Sequence, residues 1–146
     1  MTQVQQTIAE RGSAVGFAFK AGGRGRIWNT FDAHRLLHWA TVEDTPGQAL
    51  ALKKALLTTY QGRAENPSDP TVLLAAAVEV GLDADRARAV LQTGEFADAV
   101  REQEAEWAQL GIRSVPAFIV NRKHLISGGQ PPEVFVQALR QIAAEG

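Results

Sequence analysis

The sequence contains no cysteine. Disulfides, thiolate nucleophiles and cysteine-ligated metals are therefore excluded within this chain, although the absence says nothing about its redox compartment. Long apolar runs are missing as well. The longest, VLLAAAVEV, is interrupted by Glu79 and falls far short of the roughly 20 residues that a membrane helix needs. The opening residues, MTQVQQTIAERG, hold no apolar stretch of signal-peptide length. The expected location is the cytoplasm, with no membrane partner. Charge of one sign is lacking too, since 15 Lys and Arg stand against 16 Asp and Glu for a formal charge of -1. That balance creates no global field to hold nucleic acid, so a partner must be recognised locally.

What is present suffices for one compact domain and is short for two: 146 residues, 45% of them hydrophobic. Residues 2–11 suit a short helix with Thr2 as cap and Gly12 as its left-handed stop. SAVGFAFK, residues 13–20, alternates Val15, Phe17 and Phe19 against Ala14, Gly16 and Ala18, the period of a strand. AGGRGRIWN is a basic loop. NTFDAHRLLHWATVED reads as a helix capped by Asn29 or Thr30, with Leu36, Leu37 and Ala40 facing inward. Pro46 suits the first turn of the next helix, which stops near Gly62. Asp69 and Pro70 open a third helix that Gly81 ends, and Asp83 and Gly94 bracket a fourth. A fifth runs from about Glu95 to Leu110, with Phe96, Val100 and Trp107 at helical spacing and Gly111 closing it. The pattern then changes. AFIV and HLIS are joined by only Asn121, Arg122 and Lys123, which demands a hairpin, and Pro131, Pro132 and Glu133 start a last helix facing inward through Val134, Phe135, Ala138, Leu139 and Ile142.

Several clusters invite a chemical reading. GGRGR offers backbone amides and two arginines to a phosphate, but it matches no phosphate-binding spacing, and a solvated loop accounts for it. His34 and His38 share a helix face, where a divalent metal would need at least one further ligand, and none is marked; packing at the helix junction is the simpler reading, and no metal or other cofactor is expected. Glu102 and Glu106 are spaced as a carboxylate pair, although so polar a helix uses them as its wet face. The sharpest signal is SVPAF. A proline at the first residue of a strand costs one ladder bond, and with a cis peptide it would expose the N–H and C=O of Val115 to an extended ligand.

NTFDAHRLLHWA, DPTVLLAAAVEVGLD and above all GIRSVPAFIVNRKHLISGGQPPEVFVQAL resemble the DsbA-like thioredoxin-fold oxidoreductases of the FrnE type, in the same order and with similar spacing from about Ala14 onward. The resemblance implies an α/β fold: an incomplete thioredoxin-like (DsbA-like) fold with a mostly helical insertion domain between the first strand and a C-terminal β-hairpin plus helix. Residues 1–28 and 111–146 would form the thioredoxin-like part, and 29–110 the helical insertion. It further implies that Ser114, Val115, Pro116 and Ala117 line the loop that receives a protein or peptide thiol or disulfide, with Pro116 cis. The family's Cys-x-x-Cys and the strand before it have no counterpart in these residues, so no catalytic residue is carried over.

In such a sheet the strand without a counterpart lies between residues 15–19 and 117–120. Its place would be taken by a second copy of the chain or by a partner supplying a strand. Alternative readings are a non-catalytic peptide-binding or assembly module, and a fragment of a glutathione-dependent isomerase or transferase relative. Thiol–disulfide exchange proceeds through thiolate attack and a mixed disulfide, which a cysteine-free chain cannot form. The expected result of an insulin-disulfide reduction assay with this chain alone is no turnover above the buffer rate.

Overall fold

The structure is a computed structural model that describes residues 3–23, 25–43 and 47–145. Thr2 and Pro46, read from the sequence as a cap and a first-turn residue, lie outside the described residues. Two compact units divide the chain, residues 1–101 and 102–146.

The first unit is helical. It comprises α1 (Gln3–Ala14), α2 (Phe31–Val42), α3 (Gln48–Leu57) with a π-helical turn (Thr58–Gly62), α4 (Pro70–Glu79), α5 (Ala84–Gln92) and the start of α6 (Ala97–Gln109). Local chemistry sets most ends. The Asp69 carboxylate accepts from the Thr71 N–H with Pro70 at the first helical position, and that of Asp83 accepts from the Arg86 N–H. Gly81 takes the left-handed conformation that ends α4. At α2 the cap is divided between two residues: Thr30 occupies the cap position without a side-chain bond, while Asn29 Oδ1 accepts from the Phe31 N–H at 2.8 Å. The core joins Leu36, Trp39 and Ala40 of α2 to Leu52 and Leu56 of α3, Leu73 and Ala77 of α4, and Ala87 and Val90 of α5.

One charged side chain lies inside this unit. Arg35 is 4% exposed, and its guanidinium donates to the carbonyls of Val90, Thr93 and Glu95 and to the Asp32 carboxylate. A buried cation is tolerated only when its donors are filled, and here three of its partners are carbonyls left over where α5 ends. These bonds tether the link between α5 and α6, within which Phe96 sits at φ 61°, a conformation a bulky side chain rarely adopts, with its ring against His38 at 5.4 Å. Beside it, Arg86 pairs with Glu43 and Glu95, each at 2.7 Å, and these hydrogen bonds hold both carboxyls below their usual range.

Residues 13–20 differ from the sequence expectation of a strand. α1 continues through Gly12 to Ala14, the chain reverses at Gly16 with φ 82°, and residues 17–20 join no sheet. A strand is defined by its ladder, and here the backbone has other partners: the Phe17 N–H donates to the Gly12 carbonyl at 2.8 Å and the Lys20 N–H to the Gln61 carbonyl at 3.0 Å. Gly12 is a packing glycine, not a stop. A Cβ there would lie 2.4 Å from the Phe19 ring, which stacks edge-on with Phe17 at 4.8 Å.

The second unit contains the remainder of α6, the hairpin β1 (Ala117–Val120) and β2 (His124–Ser127), and α7 (Pro132–Ala144). The strands pair antiparallel with Phe118 opposite Ile126 and Ile119 opposite Leu125. Phe118 meets Phe135 of α7 edge-on at 4.8 Å. The inner stripe of α7 is narrower than the sequence suggested, because Phe135, Ala138 and Ile142 are half-buried whereas Val134 and Leu139 remain exposed. Among the described residues no helix is long and apolar enough to cross a membrane.

Arg35→Met removes the donors to three carbonyls while keeping an unbranched apolar stem. The expected loss is about 3 kcal/mol, since each buried acceptor left unpaired costs on the order of 1–3 kcal/mol. Urea unfolding followed by far-UV circular dichroism measures it, and Arg35→Lys is expected to recover only a minor part.

Candidate functional site

The SVPA segment lies between α6 and β1. α6 ends in a paired C-terminal motif in which the Gly111 N–H donates to the Ala108 carbonyl and the Ile112 N–H to the Trp107 carbonyl, with Gly111 at φ 81°. This closure sets Ile112 beside Trp107, the apolar contact that usually accompanies it. The chain then bends through Ser114, Val115 and Pro116, all exposed, and the Val115–Pro116 peptide is cis. Val115 is 89% exposed. Neither its N–H nor its C=O forms a hydrogen bond among the described residues.

One bond sets the polarity of the hairpin edges. The Gly128 N–H donates to the Pro116 carbonyl at 2.8 Å, in register with the pairing of Ala117 and Ser127. In an antiparallel ladder bonded and non-bonded pairs alternate, so Phe118 and Val120 turn their N–H and C=O toward β2, while Ala117 and Ile119 turn theirs away. Val115, just ahead of the strand, also has an unpaired N–H and C=O among the described residues. The outer edge of β1 thus presents a row of unpaired backbone groups continuous with those of Val115, and among the described residues no strand covers it.

The two faces of the hairpin are unequal. Phe118 and Ile126 point to α7. Ile119 and Leu125 point the other way, where with Trp107, Leu110 and Ile112 they line an open groove of about 570 Å³ rimmed by Glu106, Arg122, Lys123 and His124. Trp107 is 45% and Leu125 52% exposed. No described residue of this unit is buried. A hairpin with one covered face supplies little stability of its own, and this groove has the composition of a core face awaiting a neighbour.

At the hairpin tip Asn121 and Arg122 have φ of 54° and 56°, and the Lys123 N–H donates to the Val120 carbonyl, which closes a type I′ turn. Asparagine suits that conformation. Arginine does not, and its backbone carries strain beside the groove.

Other residues singled out in the sequence lie elsewhere. His34 and His38 are on α2, in the first unit; His38 is half-buried against Phe96, and His34 lines a small cavity. No group of three metal-ligating side chains occurs among the described residues. Glu102 and Glu106 are exposed along α6. The apolar groove was not anticipated. Its sequence signal was the run Trp107, Leu110, Ile112, which places three large apolar groups around a helix stop.

This architecture is matched by known proteins. A family model described as a DSBA-like thioredoxin domain matches residues 1–140. The chain belongs to that family. A solved structure, described as a probable DsbA oxidoreductase from Streptomyces coelicolor, is similar with a TM-score of 0.82 and 36% sequence identity; the match covers 100% of this chain and 64% of that one. The chain therefore spans less than two thirds of the length of that protein. Comparison with curated proteins finds no match.

Replacing Arg122 by glycine creates the Asn-Gly pair that type I′ turns favour and is expected to stabilise the chain by about 1 kcal/mol, the cost of holding an L-residue in the left-handed region. Urea unfolding of Arg122→Gly against the parent checks it.

Proposed function

We propose that this chain forms the substrate-receiving wall of a FrnE-type thiol–disulfide exchange site, acting in the cytoplasm on protein or peptide thiols and disulfides. The observation that carries this reading is the unpaired edge of β1, continuous with the exposed backbone of Val115 next to Pro116. Extended peptides add to such edges through main-chain hydrogen bonds, and side-chain pockets then give selectivity. In this reading Ser114, Val115, Pro116 and Ala117 hold the substrate segment, with Val115 pairing to it through N–H and C=O.

The reactive thiols come from another polypeptide segment, since the chain has none. In exchange, a thiolate attacks one sulfur of a disulfide, the second sulfur leaves as a thiolate, and the mixed disulfide is resolved by another thiol. The wall contributes orientation, holding the substrate extended so that its sulfur meets the attacking one in line. The stretch of edge from Ala117 to Ile119 takes a strand from a second copy or from a partner segment, which also covers the groove at Ile119 and Leu125.

The cysteine-free composition supports a second reading, in which the same edge and loop hold a peptide and no bond is broken. Both readings place the contact on the same backbone groups.

The ladder parity provides the test. Ala117→Pro removes an outward N–H and leaves the bonds between β1 and β2 intact, as a proline on an edge strand does. At micromolar concentration the parent is expected to exceed the monomer mass of 15.8 kDa by light scattering, and Ala117→Pro to return to it with an unchanged circular dichroism spectrum. A parent that is monomeric throughout, and that binds no extended peptide in fluorescence anisotropy, overturns the edge as a binding surface.

A further inference from the structure

The helical unit contains a cavity of about 90 Å³ between α2, α3 and the π-helical turn, open to solvent on one side. Its walls are mostly apolar, with Leu37, Leu57 and Pro67 among them, and four polar side chains also line it, Lys53, Thr30, His34 and Tyr60. An apolar pocket with few convergent polar groups is the usual form of a small-molecule site.

Two further features separate this cavity from an accidental packing gap. One is the turn that forms its end. α3 gives way at Thr58 to a π-helical turn, a rare form that is frequently found at functional sites. The widened turn sends Tyr60 into the cavity wall, 9% exposed, where its hydroxyl oxygen accepts from the Trp28 N–H at 3.3 Å. The other is the state of the polar groups. Lys53 is exposed and forms no ion pair among the described residues. Thr30 holds the cap position of α2 without using its hydroxyl as a cap, that bond being made by Asn29. Lys53 and Thr30 thus both line the cavity, the one without an ion pair and the other without a side-chain cap bond among the described residues.

We infer that this cavity binds a short, branched aliphatic carboxylate, its hydrocarbon end against Leu37, Leu57 and Tyr60 and its carboxylate at Lys53 and Thr30. The volume sets the class. A dry cavity of about 150 Å³ accommodates benzene, so this smaller one takes a body of about four or five carbons and not an aromatic ring. The sign of the charge follows from Lys53, the only charged group the argument requires. The site is independent of thiol chemistry and of the β1 edge.

Isovalerate is the probe, and isovaleramide, of the same shape but neutral, is the control. The full chain, labelled with ¹⁵N, is titrated with each at constant ionic strength and followed by amide chemical shifts. Saturable shifts are expected at Leu37, Leu57 and Tyr60, with isovalerate binding about fivefold tighter than the amide, a ratio equal to about 1 kcal/mol. Lys53→Met is expected to erase that preference while leaving the melting temperature unchanged, because Lys53 is exposed. Three results would overturn the inference: no saturation by about 50 mM, weaker than any small ligand in a formed pocket should bind; equal affinity for acid and amide in the parent; or a preference that survives Lys53→Met.

Discussion

A two-stranded antiparallel ladder satisfies the backbone on one side of each strand and leaves the other side open. Everything about residues 102–146 follows from that constraint. With Phe118 and Val120 bonded inward, the groups of Ala117 and Ile119 can be paired only by something outside the hairpin, and the backbone of Val115 in the preceding loop is unpaired as well. The apolar faces have the same deficit. α7 covers the Phe118 side and leaves Ile119 and Leu125, so among its described residues this unit has none fully buried on which to rest. Its open edge and its open face therefore point to the same kind of occupant, an extended strand with apolar cover behind it.

The helical unit solves the corresponding problem internally. Its helices meet through small and medium side chains, Ala40, Leu52, Leu73 and Ala77 among them, and the leftover carbonyls at the end of α5 are gathered by one arginine. Arg35 tethers the link to α6, in which Phe96 takes a left-handed conformation. A buried cation that finds only backbone carbonyls and one carboxylate does not act on substrate; it determines where the next helix begins.

Much of this was legible beforehand where the controlling interaction is local. Asp69 and Asp83 cap their helices through amides two and three residues away, and Gly111 ends α6 through bonds spanning five residues, so the residue types sufficed. The three-residue link between AFIV and HLIS likewise announced the hairpin. The SAVGFAFK stretch shows the opposite case. Its alternation satisfies a strand's side-chain period, but period is only half of what a strand requires, and the ladder partner that would complete it is not among the described residues; the amide of Lys20 instead goes to Gln61. α7 differs more mildly. Val134 and Leu139 belong to its apolar stripe by spacing, yet a hairpin of two strands is too narrow to cover the whole stripe, and they stay exposed.

By itself the sequence determined the helix ends at Asp69, Gly81, Asp83 and Gly111, the hairpin, the family resemblance carried by SVPAFIV, and the absence of thiol chemistry, because each depends on residue identity within a few positions. Only the tertiary structure decided that the edge beside Val115 is unpaired, that Trp107 and Ile112 flank an open groove, that Arg35 is buried among carbonyls, and that Tyr60 and Lys53 line one cavity. Those outcomes depend on which surfaces meet across tens of residues of chain. Burial and ladder pairing are properties of two segments together, and the composition of either segment alone does not contain them.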